Sequence, residues 1–323
     1  MSQSPAISVV MPVHNTHAYV GAAIESILGQ TLADIELIVV DDGSDEPTRE
    51  VLKGYDGSDA RLRIFLRDNH GLSPTRNFAV AQAQASLVAN LDSDDVALPH
   101  RLETQLQFMN DNPDCLISSG QAMQVDPDGL EIGLLKTRCE HDGIVEQLNW
   151  GRGSAIVHTA AIFRKAAFDQ VGGYDDRLTT AEDLDLYLKL SEHGRLANIA
   201  QVLVEFRRHV TSTTALSTPG FGTENKRKIL EAAYRRTGKD PAKVQIREFA
   251  YPRSESDLYL SWIETAMAYD CAEAKRKYTR LFMQQNWHNP LQLGRLFMRR
   301  TAPFRQRLAR APRGVWKRVT GNV

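Results

Sequence analysis

Residues 85–95 read "ASLVANLDSDD", an apolar run that ends in three carboxylates within four positions. Two carboxylates about 6 Å apart repel by roughly 3 kcal/mol at an effective dielectric near 20, so such a cluster either faces water or holds a cation. A second apolar run, "IELIVVDDGSDE" (35–46), ends the same way, with Asp41 and Asp42 ahead of a glycine turn. Outward from these two, strand-like and helix-like segments alternate: "ISVVMPV" (7–13), "HAYVGAAIESILGQ" (17–30), "PTREVLKGY" (47–55), "LRIFLRD" (62–68), "SPTRNFAVAQAQA" (73–85) and "PHRLETQLQFMND" (99–111). Continuous Val/Ile/Leu strands separated by helices are what a parallel sheet covered on both faces requires, so the first half is read as α/β. In such sheets ligands bind beyond the carboxyl ends of the strands, where both acidic clusters fall.

From about 115 to 210 the pattern is less regular. "CLISSGQAMQV" (115–125), "SAIVHTAAIFR" (154–164) and "RLANIAQVLVEFRRH" (195–209) suggest further strands and loops, and the sheet is expected to be mixed. In "EDLDLYLKLSEHG" (182–194), Leu184, Leu186, Leu188 and Leu190 alternate as in a strand, while the leucine content and Gly194 favour a helix. We read it as a helix with Asp183 in its first turn. "VGGYDD" (171–176) reads as a tight turn, and "STPGFGT" (217–223) as a boundary. The expected organisation is an α/β domain over 1–215 and a mainly helical, basic extension over 216–323.

With 323 residues and 42% apolar content the chain can bury a full core. Cys115, Cys139 and Cys271 are widely spaced and form no C-x-x-C pattern, which supports neither a disulfide framework nor a zinc site and suits a reducing, cytoplasmic compartment. The start, "MSQSPAISVVMPVHN", reads as a first strand, not a signal peptide, and no apolar stretch approaches membrane-spanning length. Net charge is only −1, but 13 of the 39 basic side chains follow Glu273, where there is no acidic one. The first 273 residues therefore carry 26 basic against 40 acidic side chains.

Asp42 alone is compatible with ordinary turn or cap chemistry, but two acidic strand ends on one sheet edge are costly unless a ligand uses them. On an extended segment Asp92 and Asp94 would point the same way and could share one hard divalent cation, with Asp95 pointing elsewhere. A magnesium or manganese ion held by so few carboxylates keeps positions for substrate phosphates, as in a nucleotide diphosphate. The turn after the first strand, "MPVHNTHAYVG", contains no G-x-G-x-x-G, and Walker A is absent, which argues against a dehydrogenase and a P-loop enzyme.

Six segments, "ISVVMPVHN", "IVVDDGSDE", "GLSPTRNFAVAQAQASLVANLDSDD", "HTAAIFRKAAFDQVGGYDD", "AEDLDLYLKL" and "FRRHVTSTT", closely resemble in order and spacing the family 2 glycosyltransferases of GT-A fold, over about residues 6–215. The resemblance implies a Rossmann-like mixed sheet and transfer, with inversion, of a sugar from a nucleotide-diphosphate donor to a glycan or lipid-linked acceptor, as in bacterial-type cell-surface polysaccharide synthesis. It implies that Pro12 contacts the nucleoside, that Asp42 bonds base or ribose with Arg76 nearby, and that Asn77 supports that loop. Asp92 and Asp94 match the D-x-D pair, Asp94 as the direct ligand of Mn2+ or Mg2+ and Asp92 nearer the ribose. Asp183 matches the general base, and Arg207 and His209 match a loop that closes over the diphosphate.

The chemistry agrees. One carboxylate can take the acceptor hydroxyl's proton, and the leaving nucleotide needs charge neutralisation, not protonation. Glu182 reads as a helix N-terminal charge or an acceptor contact, His158 as a core histidine or an acceptor contact, and His14 as packing beside the nucleoside. Two other readings stay open: a sugar nucleotidyltransferase, whose Gly-rich, Arg-containing first loop is missing here, and a catalytically silent relative serving as a binding or scaffold subunit. The stretch "LGRLFMRRTAPFRQRLARAPRGVWKRV" (293–319) interleaves arginine with apolar residues, so peripheral contact with an anionic membrane at the cytoplasmic face is one reading and a solvated helical surface another. Nucleic acid is not an expected partner, because no recognisable module is present.

Overall fold

The computed structural model describes residues 4–210, 222–247, 252 and 254–301. Among these, the chain forms two compact units, one of residues 4–125, 134–208 and 222–247 and the other of 126–133, 209–210, 252 and 254–301.

The first unit follows the expected alternation: β1 (Ile7–Val13), α1 (Val20–Leu28), β2 (Ile35–Asp42), α2 (Glu46–Tyr55), β3 (Leu62–Arg67), α3 (Leu72–Ala81), β4 (Leu87–Asn90), β5 (Val96–Ala97), α4 (Arg101–Asp111) and β6 (Cys115–Val125). After a short strand β7 (Glu131–Leu135) come α5 (His141–Asn149), β8 (Ile162–Arg164), α6 (Lys165–Gln170), α7 (Glu182–Ser191), β9 (Arg195–Arg207) and α8 (Thr223–Arg236). The sheet order is β3-β2-β1-β4-β8-β6-β9-β5. β1 runs parallel to β2 and β4, and β2 to β3. β8 is antiparallel to β4 and β6, which makes the sheet mixed as expected.

Both faces of the first strands are dry. Ile7, Val9, Met11 and Val13 of β1 join Leu37 and Val39 of β2 and Val20, Ala23, Ile24 and Ile27 of α1 in one core. Val10, Ile38 and Val40 point the other way, into a core with Ala79 and Val80 of α3 and Leu184, Leu186, Tyr187, Leu188 and Leu190 of α7. The period of two thus sends alternate residues into separate cores, each buried aliphatic side chain contributing about 1.5–3 kcal/mol.

Within "SAIVHTAAIFR", Gly153–Ala155 and His158–Ala160 are short 3-10 turns, and Ile162–Arg164 pairs in the sheet, a mixture of loop and strand. The expected boundary at 215 and 216 lies outside the described residues, and α8 groups with the sheet unit.

The second unit contains the C-terminal helices α9 (Glu255–Ala268), α10 (Ala272–Asn286) and α11 (Pro290–Thr301). Ser254 caps α9, its hydroxyl accepting from the Asp257 amide at 3.1 Å. Trp262, Ile263, Tyr278 and Phe282 share an apolar core with Ile132. The carboxylate of Asp126 accepts from Lys277 Nζ and Tyr278 Oη, each at 2.6 Å. No described helix is long and apolar enough to cross a membrane.

Candidate active site

The parallel strands β2, β1 and β4 lie side by side, so their carboxyl ends bring both acidic clusters to one edge. Pro12 is buried within β1, in register with Val40. Asp42, closing β2, is engaged by the chain around the start of α3. Its carboxylate accepts from the His70 amide at 2.8 Å, the Gly71 amide at 3.0 Å and the Thr75 hydroxyl at 2.7 Å. His14 Nδ1 donates to the Asp42 carbonyl at 2.9 Å, fixing the first loop against the second.

The segment after β4 is not extended. The Asp95 amide donates to the Asp92 carbonyl at 3.1 Å, closing a turn, so the shared orientation expected for Asp92 and Asp94 on a straight segment does not apply. Asp92 and Asp94 are half-buried, and Asp95 turns inward, where one carboxylate oxygen accepts from the Arg207 amide at 2.7 Å. Among the described residues, Asp95 Oδ2 is buried without a hydrogen-bond partner. Burial, with Asp94 and Asp92 nearby, pushes Asp95 well above the usual carboxylate range.

Buried arginines make this crowding tolerable. Arg76 of α3, its side chain 6% exposed, donates to Asp92 Oδ1 at 2.9 Å and to Glu182 Oε1 at 2.7 Å. Burial pushes the Asp92 pKa up, but the charge and hydrogen bond of Arg76, with the other basic groups around it, together outweigh burial and leave Asp92 below its ordinary value. Arg101 of α4 is fully buried and donates to the Asn90 carbonyl at 2.6 Å and to Gln105 at 3.0 Å. Burial lowers Arg101 to about 9, against the pull of Asp95 and Asp92, so it stays charged at neutral pH. Arg207 Nε bonds the Asp94 carbonyl at 3.0 Å, and its guanidinium lies 5.0 Å from the Tyr19 ring centroid.

Across from this loop stands the head of α7. Ala181, just before it, adopts a left-handed φ of 63°, which costs an L residue about 1–2 kcal/mol and turns the chain sharply into Glu182 and Asp183. Asp183 is half-buried, and its Oδ1 accepts from the Leu184 amide at 2.7 Å. Burial first, then the charge of Glu182, raise its pKa to about 6. Gly153 presses against this carboxylate so closely that a Cβ there would fall 2.6 Å from Oδ2.

Beneath them lies a polar network. Asn90 Nδ2 donates to His158 Nε2 and Tyr174 Oη, both at 3.2 Å, so Nε2 accepts and the proton sits on Nδ1, 2.5 Å from Tyr187 Oη. Burial and the nearby Arg76 charge lower His158 to about 3, which keeps it neutral. Asn77 bonds Tyr174 N at 3.0 Å and Tyr174 O at 2.9 Å, holding the turn expected at 171–176. Gly173 takes φ 65° there, and a Cβ would meet Asn77 Oδ1 at 2.8 Å.

The fold thus brings Arg76, Asp92 and Glu182 into one ion-pair chain, with Asp183 next to Glu182. Arg76 turns toward Asp92 and Glu182, whereas Asp42 is met by its neighbour Thr75. His209 is buried two residues past the end of β9. Sequence reasoning missed Arg101, Asn90 and Tyr187. Arg101 shares the i, i+4 spacing of Gln105 and Met109, which are buried with it, but a charged residue on that stripe ordinarily signals solvent.

A mixed sheet with carboxylates at the ends of β2 and β4, faced by an acidic helix start, defines the GT-A class of nucleotide-diphospho-sugar transferases. S. aureus TarS 1-349, in a crystal structure with UDP-GlcNAc, shares this fold at a TM-score of 0.58 and 17% identity, the match covering 91% of this chain and 81% of that one. Residues 8–172 match the profile described as glycosyl transferase family 2, and the chain belongs to that family and is a glycosyltransferase. It is 34% identical over 212 residues to the O-antigen biosynthesis glycosyltransferase WbnJ of Escherichia coli, a match covering 64% of this chain and 81% of WbnJ. It is also 27% identical over 247 residues to the hyaluronan synthase of Pasteurella multocida, covering 74% of this chain but only 24% of that much longer protein.

Proposed function

We propose that the protein transfers a sugar, with inversion, from a nucleotide-diphosphate donor to a glycan or lipid-linked acceptor in polysaccharide synthesis at the cytoplasmic face. The observation that carries this reading is Asp183, a half-buried carboxyl with a pKa near 6, tied through its neighbour Glu182 and Arg76 to the Asp92–Asp94 loop. A base poised near the working pH removes the acceptor hydroxyl's proton as that oxygen attacks the anomeric carbon, and the bond to the nucleotide diphosphate breaks on the opposite face. Arg76 joins the donor side to the acceptor side, so the two reacting partners are oriented by one rigid group. Pro12 and Asp42 belong to the nucleoside end, Asp42 by ordering the backbone from His70 to Thr75. Arg207, bonded to the Asp94 carbonyl, is assigned to compensate the diphosphate's charge, and His158, held neutral, to shape the acceptor side with Glu182. The names of WbnJ and the hyaluronan synthase support a polysaccharide role, and the UDP-GlcNAc bound to TarS supports a nucleotide-sugar donor.

Mn2+ or Mg2+ fits the donor set: only carboxylate oxygens are offered, Asp94 is half-buried at the tip of the loop, and beside it Asp95 Oδ2 lies buried without a hydrogen-bond partner among the described residues. No group of three or more His, Cys, Asp or Glu among the described residues could hold a metal alone, which suits an ion shared with a diphosphate. Asp94, with Asp92, would hold it, and it would supply positive charge to the leaving diphosphate.

The test is a thermal-shift series with UDP-, GDP-, dTDP- and CMP-sugars, with and without manganese. A cognate donor at about 100 times its Kd stabilises the fold by about 2.7 kcal/mol. One donor class should raise Tm, more so with manganese; no shift with any of them contradicts the proposal.

A further inference from the structure

Unit two carries a surface that transfer chemistry does not use. On α10, Arg276, Arg280, Met283 and Trp287 follow one another at spacings of four, three and four, which at about 100° per residue confines them to an arc of roughly 60°. All four are exposed, Trp287 by 74%, and Leu291, four residues further on, by 84%. The opposite arc of the same helix, Ala274, Tyr278 and Phe282, supplies the unit's core, so the stripe has no place in that packing. A large exposed tryptophan beside a methionine and two arginines is unfavourable in water and unnecessary for folding.

Charge selects the occupant. Both charges on the stripe are positive, and residues 274–301 contain seven basic side chains and no acidic one. An acidic peptide would neutralise the arginines but gives the tryptophan and leucine no depth to enter. A bilayer with anionic headgroups satisfies both, because indole and aliphatic side chains sit at the headgroup–acyl boundary while arginine pairs with phosphate. We propose that the stripe of Arg276, Arg280, Met283 and Trp287, at and just past the end of α10, docks on an anionic lipid surface, with the exposed Leu291 of α11 as a further apolar contact. The basic stretch 302–323 lies outside the described residues, and the assignment rests on α10 and the start of α11 alone.

The experiment is flotation of the full chain with phosphatidylcholine vesicles, with or without about a third phosphatidylglycerol, together with tryptophan emission. Intact protein should float with the anionic vesicles only, release as salt rises, and show a blue-shifted emission. Trp287→Ser with Leu291→Ser should abolish the shift and most of the flotation. Arg276→Gln with Arg280→Gln should weaken binding by about fivefold per charge removed. Transfer to a water-soluble acceptor should be unchanged in both, which separates lost docking from lost folding. Equal flotation of the Trp287/Leu291 variant and intact protein overturns the assignment. So does a change confined to sedimentation without vesicles, which would mean the face meets a second copy, or binding to RNA with none to lipid.

Discussion

Asp183 keeps company with a second carboxylate, Glu182, in surroundings that withdraw it from water, and together these raise its pKa to about 6. As the proposed base it would work only when ionised, so kcat/KM should fall on the acid side with a midpoint near 6; a midpoint near 4 would show an ordinary solvated carboxylate. The same shift has a stability sign. The folded state holds the Asp183 proton more tightly than the unfolded chain, so stability is lost as pH rises through about 4 to 6, and at pH 7.5 Asp183→Asn should raise Tm. Arg76 behaves oppositely. Its removal in Arg76→Ala strands Asp92 and Glu182, and urea unfolding should report a loss of roughly 3 kcal/mol at unchanged m; a loss under about 1 kcal/mol would place the pair among exposed ion pairs. The acidic residues were legible because short acidic runs after apolar strands have few structural uses. Arg101 was not, since it sits in a helical pattern that gives no sign of a buried charge, and Arg76 was reached only through the family resemblance, beside Asp42 and not between Asp92 and Glu182.

Among the elements, α7 shows why pattern reading stalls. Leu184, Leu186, Tyr187, Leu188 and Leu190 are all buried, because the helix is covered almost all round, and such a helix shows no 3.6-residue stripe. The reading as a helix rested on leucine content and the terminal Gly194. The division of stretch 154–164 between turn and strand was hidden for a related reason. Its apolar residues are buried as turns, with the Ala160 and Ala161 carbonyls bonded to Gln105 and Arg101 of α4, a long-range pairing with no local signature. One of those turns sets the position of the base. Gly153→Ala would drive a methyl group into Asp183, and moving that carboxylate by a fraction of an ångström should cut kcat by at least about tenfold while donor affinity is retained. Full activity in that variant would show that α7 can give way.

For the molecule as a whole, the alternation of strand and helix up to residue 111 fixes the parallel core, since each strand must be dry on both faces and each connection must cover one. The antiparallel insertion of β8 between β4 and β6 has no such signature, being three residues long and paired across 70 or more residues of chain on one side. The grouping of α8 with the sheet escaped composition too, because its Lys/Arg-rich exposed face resembles the helices of the second unit. What unites these scales is the division we propose, between a sheet edge for the nucleotide-sugar donor and a helix start that activates the acceptor. Asp183→Asn tests that division most directly, with donor binding followed by calorimetry and transfer by product release. Donor affinity within about twofold of the parent with turnover reduced by about 10²–10⁴ is the predicted result; undiminished turnover would contradict it.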